Sequence, residues 1–234
     1  MPPAGRDARS RGACWHGEVI IAIIGPGNMA RGIATRALAG GHTVRLVGRS
    51  AEQAAALAEE LRRAAPGGDG DVRQSDAIAV EDADLVVLAV PYPAGREVVA
   101  DYGTALTGSV IVDICNPVDF STFDSLAVPA GTSAAEQIAA EAAPGAPVVK
   151  AFNTTFAATL LSGQVAGQPL DVLIAGDDED AKRSVAELAA SGGLRPLDVG
   201  PLRRARELEA FQFLHMAAQE RLGLNWSSAV KILP

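Results

Sequence analysis

Val19-Ile-Ile-Ala-Ile-Ile24-Gly25-Pro26-Gly27-Asn28-Met29-Ala30 is the stretch on which the fold turns. Its unbroken apolar run fits a strand buried on both faces, and the glycines lead straight into a segment with helical spacing from Asn28 to Ala39. Gly25 permits a tight turn. Gly27 leaves no side chain between the backbone and a pyrophosphate, and Ala30 keeps the helix close to the strand. A G-x-G-x-x-A run placed between strand and helix is a dinucleotide-binding fingerprint, and the free N–H groups of the helix's first turn would face the phosphates. Pro26, Asn28 and Met29 complete that loop as candidate cofactor-binding residues.

Outward from this motif, short β-branched runs alternate with alanine-rich segments. Strands are expected at Thr43–Val47, near Val72, at Leu85–Val90, Ser109–Ile114, Val148–Ala151, Val172–Ala175 and Leu194–Val199. Helices are expected after Ser50, whose capping box closes on Gln53, and at Ala77–Val80, from Pro93 to Asp101, and from Ser133 to Ala142. Two more are expected over Asp178–Ala190 and Leu202–Leu222, with a short terminal helix after them. Pro66-Gly67-Gly68 stops the second helix. The alternation predicts α/β architecture: a Rossmann-type, doubly wound, mainly parallel sheet with a smaller C-terminal α/β extension ending in helices.

Composition narrows the function. The 234 residues are 48% hydrophobic and 21% charged, enough for a core without staples or structural metals. Two cysteines, Cys14 and Cys115, and three scattered histidines form no disulfide framework and no zinc cluster, so a reducing cytoplasmic setting is expected and no metal ligands are assigned. A net charge of -8 argues against sequence-independent nucleic-acid binding. No apolar run approaches the ~20 residues of a membrane span, and residues 1–17 lack the apolar centre of a secretory signal, reading as a flexible extension.

The end of the second strand bears on the choice of dinucleotide. An NAD site places Asp or Glu there for the ribose 2′-hydroxyl, whereas this chain has Val47-Gly48-Arg49-Ser50. Arg49 offers a planar fork matched to a phosphate, with the Ser50 hydroxyl beside it, which predicts NADP. Residues 18–151 are therefore expected to form an NADP-binding Rossmann domain, and 152–234 a smaller domain closing the substrate cleft.

The run IAIIGPGNMARGIA, the strand LVVLAVPYP, the segment VVKAFNTT (Val148–Thr155) and GLRPLDVGPLRRARELEAF (Gly193–Phe211) together resemble the NADP-dependent reductases of the deazaflavin coenzyme F420. The same domain type occurs in the cytoplasmic ferric reductase domains of certain metalloreductases. The resemblance implies hydride transfer between NADP(H) and bound coenzyme F420, a deazaflavin, or a related flavin-type acceptor. Such transfer needs no proton-transfer residue at the reacting carbon, so no catalytic side chain is assigned and positioning carries the rate. By position, Val90 and Pro91 would line the nicotinamide pocket. Ala151 and Asn153 would reach the nicotinamide ribose or carboxamide, and the loop Cys115–Phe120 would face the second substrate. In the family the serine precedes the arginine after the second strand, an order reversed here.

Other residues have plainer readings. Cys115 reads as a small buried hydrophobe, His42 as structural, and Asp177–Asp180 as a solvated helix start. His215 falls among Phe211, Leu214 and Ala218 on a face expected to be buried. Two alternatives stay open: a pyrroline-5-carboxylate reductase-like NADPH enzyme, whose G-x-G-N-M-A opening is shared, and a non-enzymatic NADP-sensing module. The expected partner is a small molecule, with no nucleic acid or membrane, and a homodimer is left open.

Overall fold

Strand β1 (Ile20–Ile24) shows how the apolar runs become a sheet covered on both faces. Ile21 and Ile23 enter one core and Ala22 and Ile24 the other, because successive side chains of a strand point to opposite sides. The computed structural model describes residues 18–64 and 70–233. The expected extension 1–17 and the Pro66-Gly67-Gly68 stop lie outside the described residues.

After β1 come α1 (Asn28–Ala39), β2 (Thr43–Val47), α2 (Ala51–Ala64) and β3 (Val72–Gln74). A 3-10 turn at Ala77–Val80 leads to β4 (Leu85–Leu88) and α3 (Tyr92–Tyr102). Next are β5 (Val110–Asp113), α4 (Ala134–Glu141) and β6 (Val148–Lys150). These six strands pair in parallel in the order β6-β5-β4-β1-β2-β3. The chain leaves β1 in one direction for β2 and β3 and returns past it to β4. The switch point between β1 and β4 is where an open α/β sheet forms a crevice at its carboxyl ends. Ser133 Oγ caps α4 by accepting from Glu136 N–H at 3.1 Å, as its capping box predicts.

The C-terminal part extends the same sheet. Helix α5 (Ala157–Ser162) and a hairpin of β7 (Gln164–Val165) and β8 (Gln168–Pro169) precede β9 (Asp171–Gly176). Neither α5 nor the hairpin was expected from the sequence, because a six-residue helix offers too few turns for periodicity to register. A Cβ on Gly32 would lie 2.7 Å from Leu160 Cβ, so this mid-helix glycine is what lets α5 press against α1. Strand β9 runs antiparallel to β6, then α6 (Glu179–Ser191) crosses to β10 (Arg195–Gly200), parallel to β9. A 3-10 turn at Leu202–Arg204 precedes α7 (Ala205–Arg221).

Among the described residues no terminal helix follows α7, contrary to expectation. Asn225 and Trp226 have φ of 51° and 56°, outside the helical region, and Trp226 N–H donates to Gln219 Oε1 at 3.0 Å. The tail instead runs to the start of β9. There the Asp171 carboxylate, 2% exposed, accepts from Arg195 Nε at 2.8 Å, Lys231 Nζ at 2.6 Å and Ile232 N–H at 2.8 Å.

Burial alone would raise the pKa of Asp171, but the bonds from Arg195, Lys231 and Ile232 outweigh it and lower it to about 2. A depressed carboxylate stabilises the fold above its unfolded value and loses that contribution as the pH falls through its folded value. The expected contribution is about 2 kcal/mol, present above about pH 4 and gone near pH 2. Urea unfolding of Asp171→Asn across this window should give a flatter stability curve than wild type, and parallel curves would contradict the assignment.

Candidate active site

The glycine turn is held by close approach. Gly25 has φ of 101° and donates its N–H to Val47 O at 2.8 Å. A Cβ there would stand 2.4 Å from Ala89 O and 2.8 Å from Val90 Cγ1, so only glycine lets the exits of β1 and β4 pass each other. Gly27 is the N-cap residue of α1, with no side-chain cap and no acidic residue in the first turn. A Cβ on Gly27 would meet nothing within 4 Å. Unclaimed N–H donors, a positive helix end and free space together fit the pyrophosphate of a dinucleotide.

Pro26 seats the next loop. A Cβ on Gly48 would come within 2.9 Å of Pro26 Cδ, so the glycine turn and the loop after β2 pack against each other. Arg49, next in the chain, is exposed and has no ion pair among the described residues. Ser50 is occupied: its Oγ accepts from Gln53 N–H at 3.3 Å and donates to Glu52 Oε2 at 2.6 Å. That bond lowers the Glu52 pKa. The stretch from β2 to Ser50 carries no carboxylate, and the nearest one, Glu52, lies in the first turn of α2. Asn28 and Met29 split between surface and core. Asn28 Oδ1 accepts from Arg31 Nη1 at 2.9 Å, Arg31 reaches Glu60 on α2 at 2.8 Å, and Met29 packs on the core.

At the end of β4, Val90 is half-buried and Pro91 is the exposed N-cap of α3. Cys115 Sγ donates to Val90 O at 3.3 Å, joining the exits of β4 and β5. Asn116 and Asn153 bind each other, with Asn116 Nδ2 donating to Asn153 O at 2.9 Å and Asn153 Nδ2 to Asn116 Oδ1 at 3.0 Å. Ala151 and Asn153, expected to reach the nicotinamide ribose or carboxamide, are both fully enclosed by protein neighbours. Ala151 N–H is spent on Asp113 O, and Asn153 also donates to Leu208 O at 3.3 Å. They form the underside of the cleft floor. Between them Phe152, buried, takes φ of 61°, a strained conformation pinned where Thr155 Oγ1 donates to its carbonyl at 2.7 Å.

Beneath that floor lies a charged cluster that the sequence reading missed. Lys150 Nζ donates to Asp113 Oδ2 at 2.8 Å, Glu209 Oε1 at 2.8 Å and Cys115 O at 2.5 Å, and the three side chains are fully buried. Glu209 also accepts from Ala134 N–H at 2.9 Å and Ala135 N–H at 3.3 Å, capping α4 from α7. Asp113 Oδ1 accepts from Cys115 N–H at 2.8 Å. Burial opposes the Lys150 charge, but Asp113 and Glu209 outweigh it and its pKa rises; burial raises that of Glu209 against the pull of Lys150. Burial, with Asp113, pushes the Cys115 thiol well up, so it stays protonated. The available signal was a charge inside each apolar run, SVIVDI and VVKAF, since a charge on a buried strand demands a partner.

His215 is desolvated, which lowers its pKa, and bonds Ser228 Oγ at 2.8 Å beside the Phe156 ring. Its helix face is less buried than expected: Phe211 and Leu214 are 38% and 67% exposed. Asp178 caps α6 by accepting from Ala181 N–H at 2.9 Å.

Comparison with known proteins fits this geometry. Residues 20–117 match the family model described as NADP oxidoreductase coenzyme F420-dependent. The chain is 34% identical over 199 residues to the F420-dependent NADP reductase of Methanothermobacter marburgensis, covering 81% of this chain and 87% of that one. It is 32% identical over 190 residues to metalloreductase STEAP3 of Rattus norvegicus, spanning only 36% of that protein's length. A crystal structure of a candidate F420-dependent NADP-reductase from Arthrobacter sp. FB24 superposes with a TM-score of 0.77 at 29% identity, over 92% of this chain and 99% of that one.

The cluster makes a stability prediction. Lys150→Met leaves two buried carboxylates without their cation and should cost about 3–5 kcal/mol in denaturant unfolding. A loss below about 1 kcal/mol would mean that the carboxylates are already neutral in the folded protein.

Proposed function

Because the chain belongs to the coenzyme F420-dependent NADP oxidoreductase family, we propose that it moves a hydride between NADP(H) and a deazaflavin held over the carboxyl ends of β1, β4, β5 and β6. The carrying observation is the uncapped start of α1 with open space before Gly27, a phosphate site built from backbone alone. Gly25 and Pro26 shape that turn, and the first N–H groups of α1, at Asn28 and Met29, face the pyrophosphate. Arg49 meets the 2′-phosphate. Ser50, already bonded to Glu52, orients the loop and adds a hydroxyl.

When bound, the two flat rings supply the chemistry between them, as hydride donor and hydride acceptor. The chain's part is to bind, align and exclude water. Val90 and Pro91 form the apolar wall for the nicotinamide. Asn116, fixed to Asn153, presents the loop after β5 to the acceptor. Ala151 and Asn153 hold this floor rigid from below, and the segment 152–234 closes the cleft on the acceptor side. Burial keeps the Cys115 thiol protonated, and Lys150 is enclosed with its charge held by Asp113 and Glu209. Family membership disfavours a pyrroline-5-carboxylate reductase activity, and turnover separates the enzyme from a sensing module.

NADPH deuterated at C4 should reduce oxidised coenzyme F420 and deliver the label from one of its two stereoisomers only, because a fixed stack exposes one face. Label lost to solvent from both isomers would exclude direct transfer, and reduction of free flavin alone would move the assignment to a flavin-type acceptor.

Two substitutions test the nucleotide half. Arg49→Ala should weaken NADPH about ten- to a hundredfold, equivalent to about 1.5–3 kcal/mol, with NADH little changed. Gly27→Val should fold normally, since a Cβ there meets no protein atom within 4 Å, and lose both nucleotides. Titration by nicotinamide fluorescence checks both, and normal NADPH binding by the folded Gly27→Val protein would leave the turn purely structural.

A further inference from the structure

The cluster under the cleft floor sets two acids against one base. Two carboxylates, Asp113 and Glu209, face one ammonium, Lys150, and all three are fully buried. The amino end of α4, which Glu209 caps, returns about half a positive charge, so with both carboxylates ionised a negative excess remains. The cluster is one residue behind the cleft wall. Lys150 Nζ bonds Cys115 O at 2.5 Å, and Cys115 Sγ bonds Val90 O at 3.3 Å.

Hydride release turns a neutral dihydropyridine ring into a pyridinium cation, so a fixed negative charge nearby stabilises the oxidised ring and leaves the reduced ring almost unaffected. On the reading that NADP(H) binds with its nicotinamide against Val90, we propose that Asp113, Lys150 and Glu209 form an electrostatic base under the ring. It holds bound nucleotide toward the oxidised form and so favours hydride flow out of NADPH. The base acts through the floor without touching either ligand, which makes these positioning residues. Burial gives it reach, because ions in solvent screen a buried charge far less than an exposed one.

The sign is measurable without turnover. Wild-type protein should bind NADP+ several-fold more tightly than NADPH. A unit charge on the order of 10 Å from the ring, at an effective dielectric of about 20, changes that ratio roughly tenfold, and the α4 terminus trims the effect. Glu209→Gln, and separately Asp113→Asn, should each reduce the preference for NADP+ by about three- to tenfold. Binding of 2′-phospho-ADP-ribose, which lacks the nicotinamide, should stay within about twofold of wild type. A structural collapse would weaken all three ligands together and leave the ratio unchanged, which overturns the proposal. Equal or tighter binding of NADPH by wild type overturns it as well, and this arm stands even where a variant fails to fold. Should wild type bind neither nucleotide, the nucleotide reading itself falls; should it bind both with a ratio indifferent to these substitutions, only the electrostatic base falls.

Discussion

One buried ammonium organises the cleft. Lys150 has three donors and finds three acceptors, on β5, on the loop after β5 and on α7. Two of these acceptors carry a further bond outward, Asp113 to the Cys115 N–H and Glu209 to the start of α4. An unpaired charge at this depth is too costly to persist, so the cation and its partners stand or fall together. Satisfying Lys150 therefore fixes the spacing of β5, β6, α4 and α7 and the height of the floor formed by Asn116 and Asn153.

The chain solves an electrostatic problem by separation. It is acidic overall, yet its family uses a polyanionic nucleotide. Around the glycine turn the local field comes from backbone dipoles and the exposed Arg49, with no acidic side chain in the first turn of α1. The two buried acids, Asp113 and Glu209, are kept with Lys150 at the other end, under the strand exits of β5 and β6. Glu52, in the first turn of α2, is the exception near that turn, where the Ser50 hydroxyl holds it.

Legibility followed the range of the interactions. The glycine turn, α1 and β2 could be read residue by residue because Gly25, Gly27 and the apolar runs act through their immediate neighbours. Short α5 left no periodic trace, and its seat on α1 depends on Gly32, remote in sequence from Leu160. The enclosure of Ala151 and Asn153 could not be read either, since it follows from α7 lying over the exit of β6. Asp113, Lys150 and Glu209 are far apart in the chain, and only the assembled sheet reveals their shared site.

The reversal at β9 bears on how the chain behaves before it is finished. Until Asp171–Gly176 have been synthesised, β6 is an open sheet edge, the kind of surface on which unfinished chains pair with one another. That edge is three residues long and ends in Lys150, whose partner Glu209 comes later still. An ammonium lacking one of its carboxylates keeps water, so a second chain docking on nascent β6 would have to dehydrate it. Lys150 thus places an incompletely paired charge at the end of that edge until Glu209 arrives, one of the devices that disfavours pairing at an exposed edge.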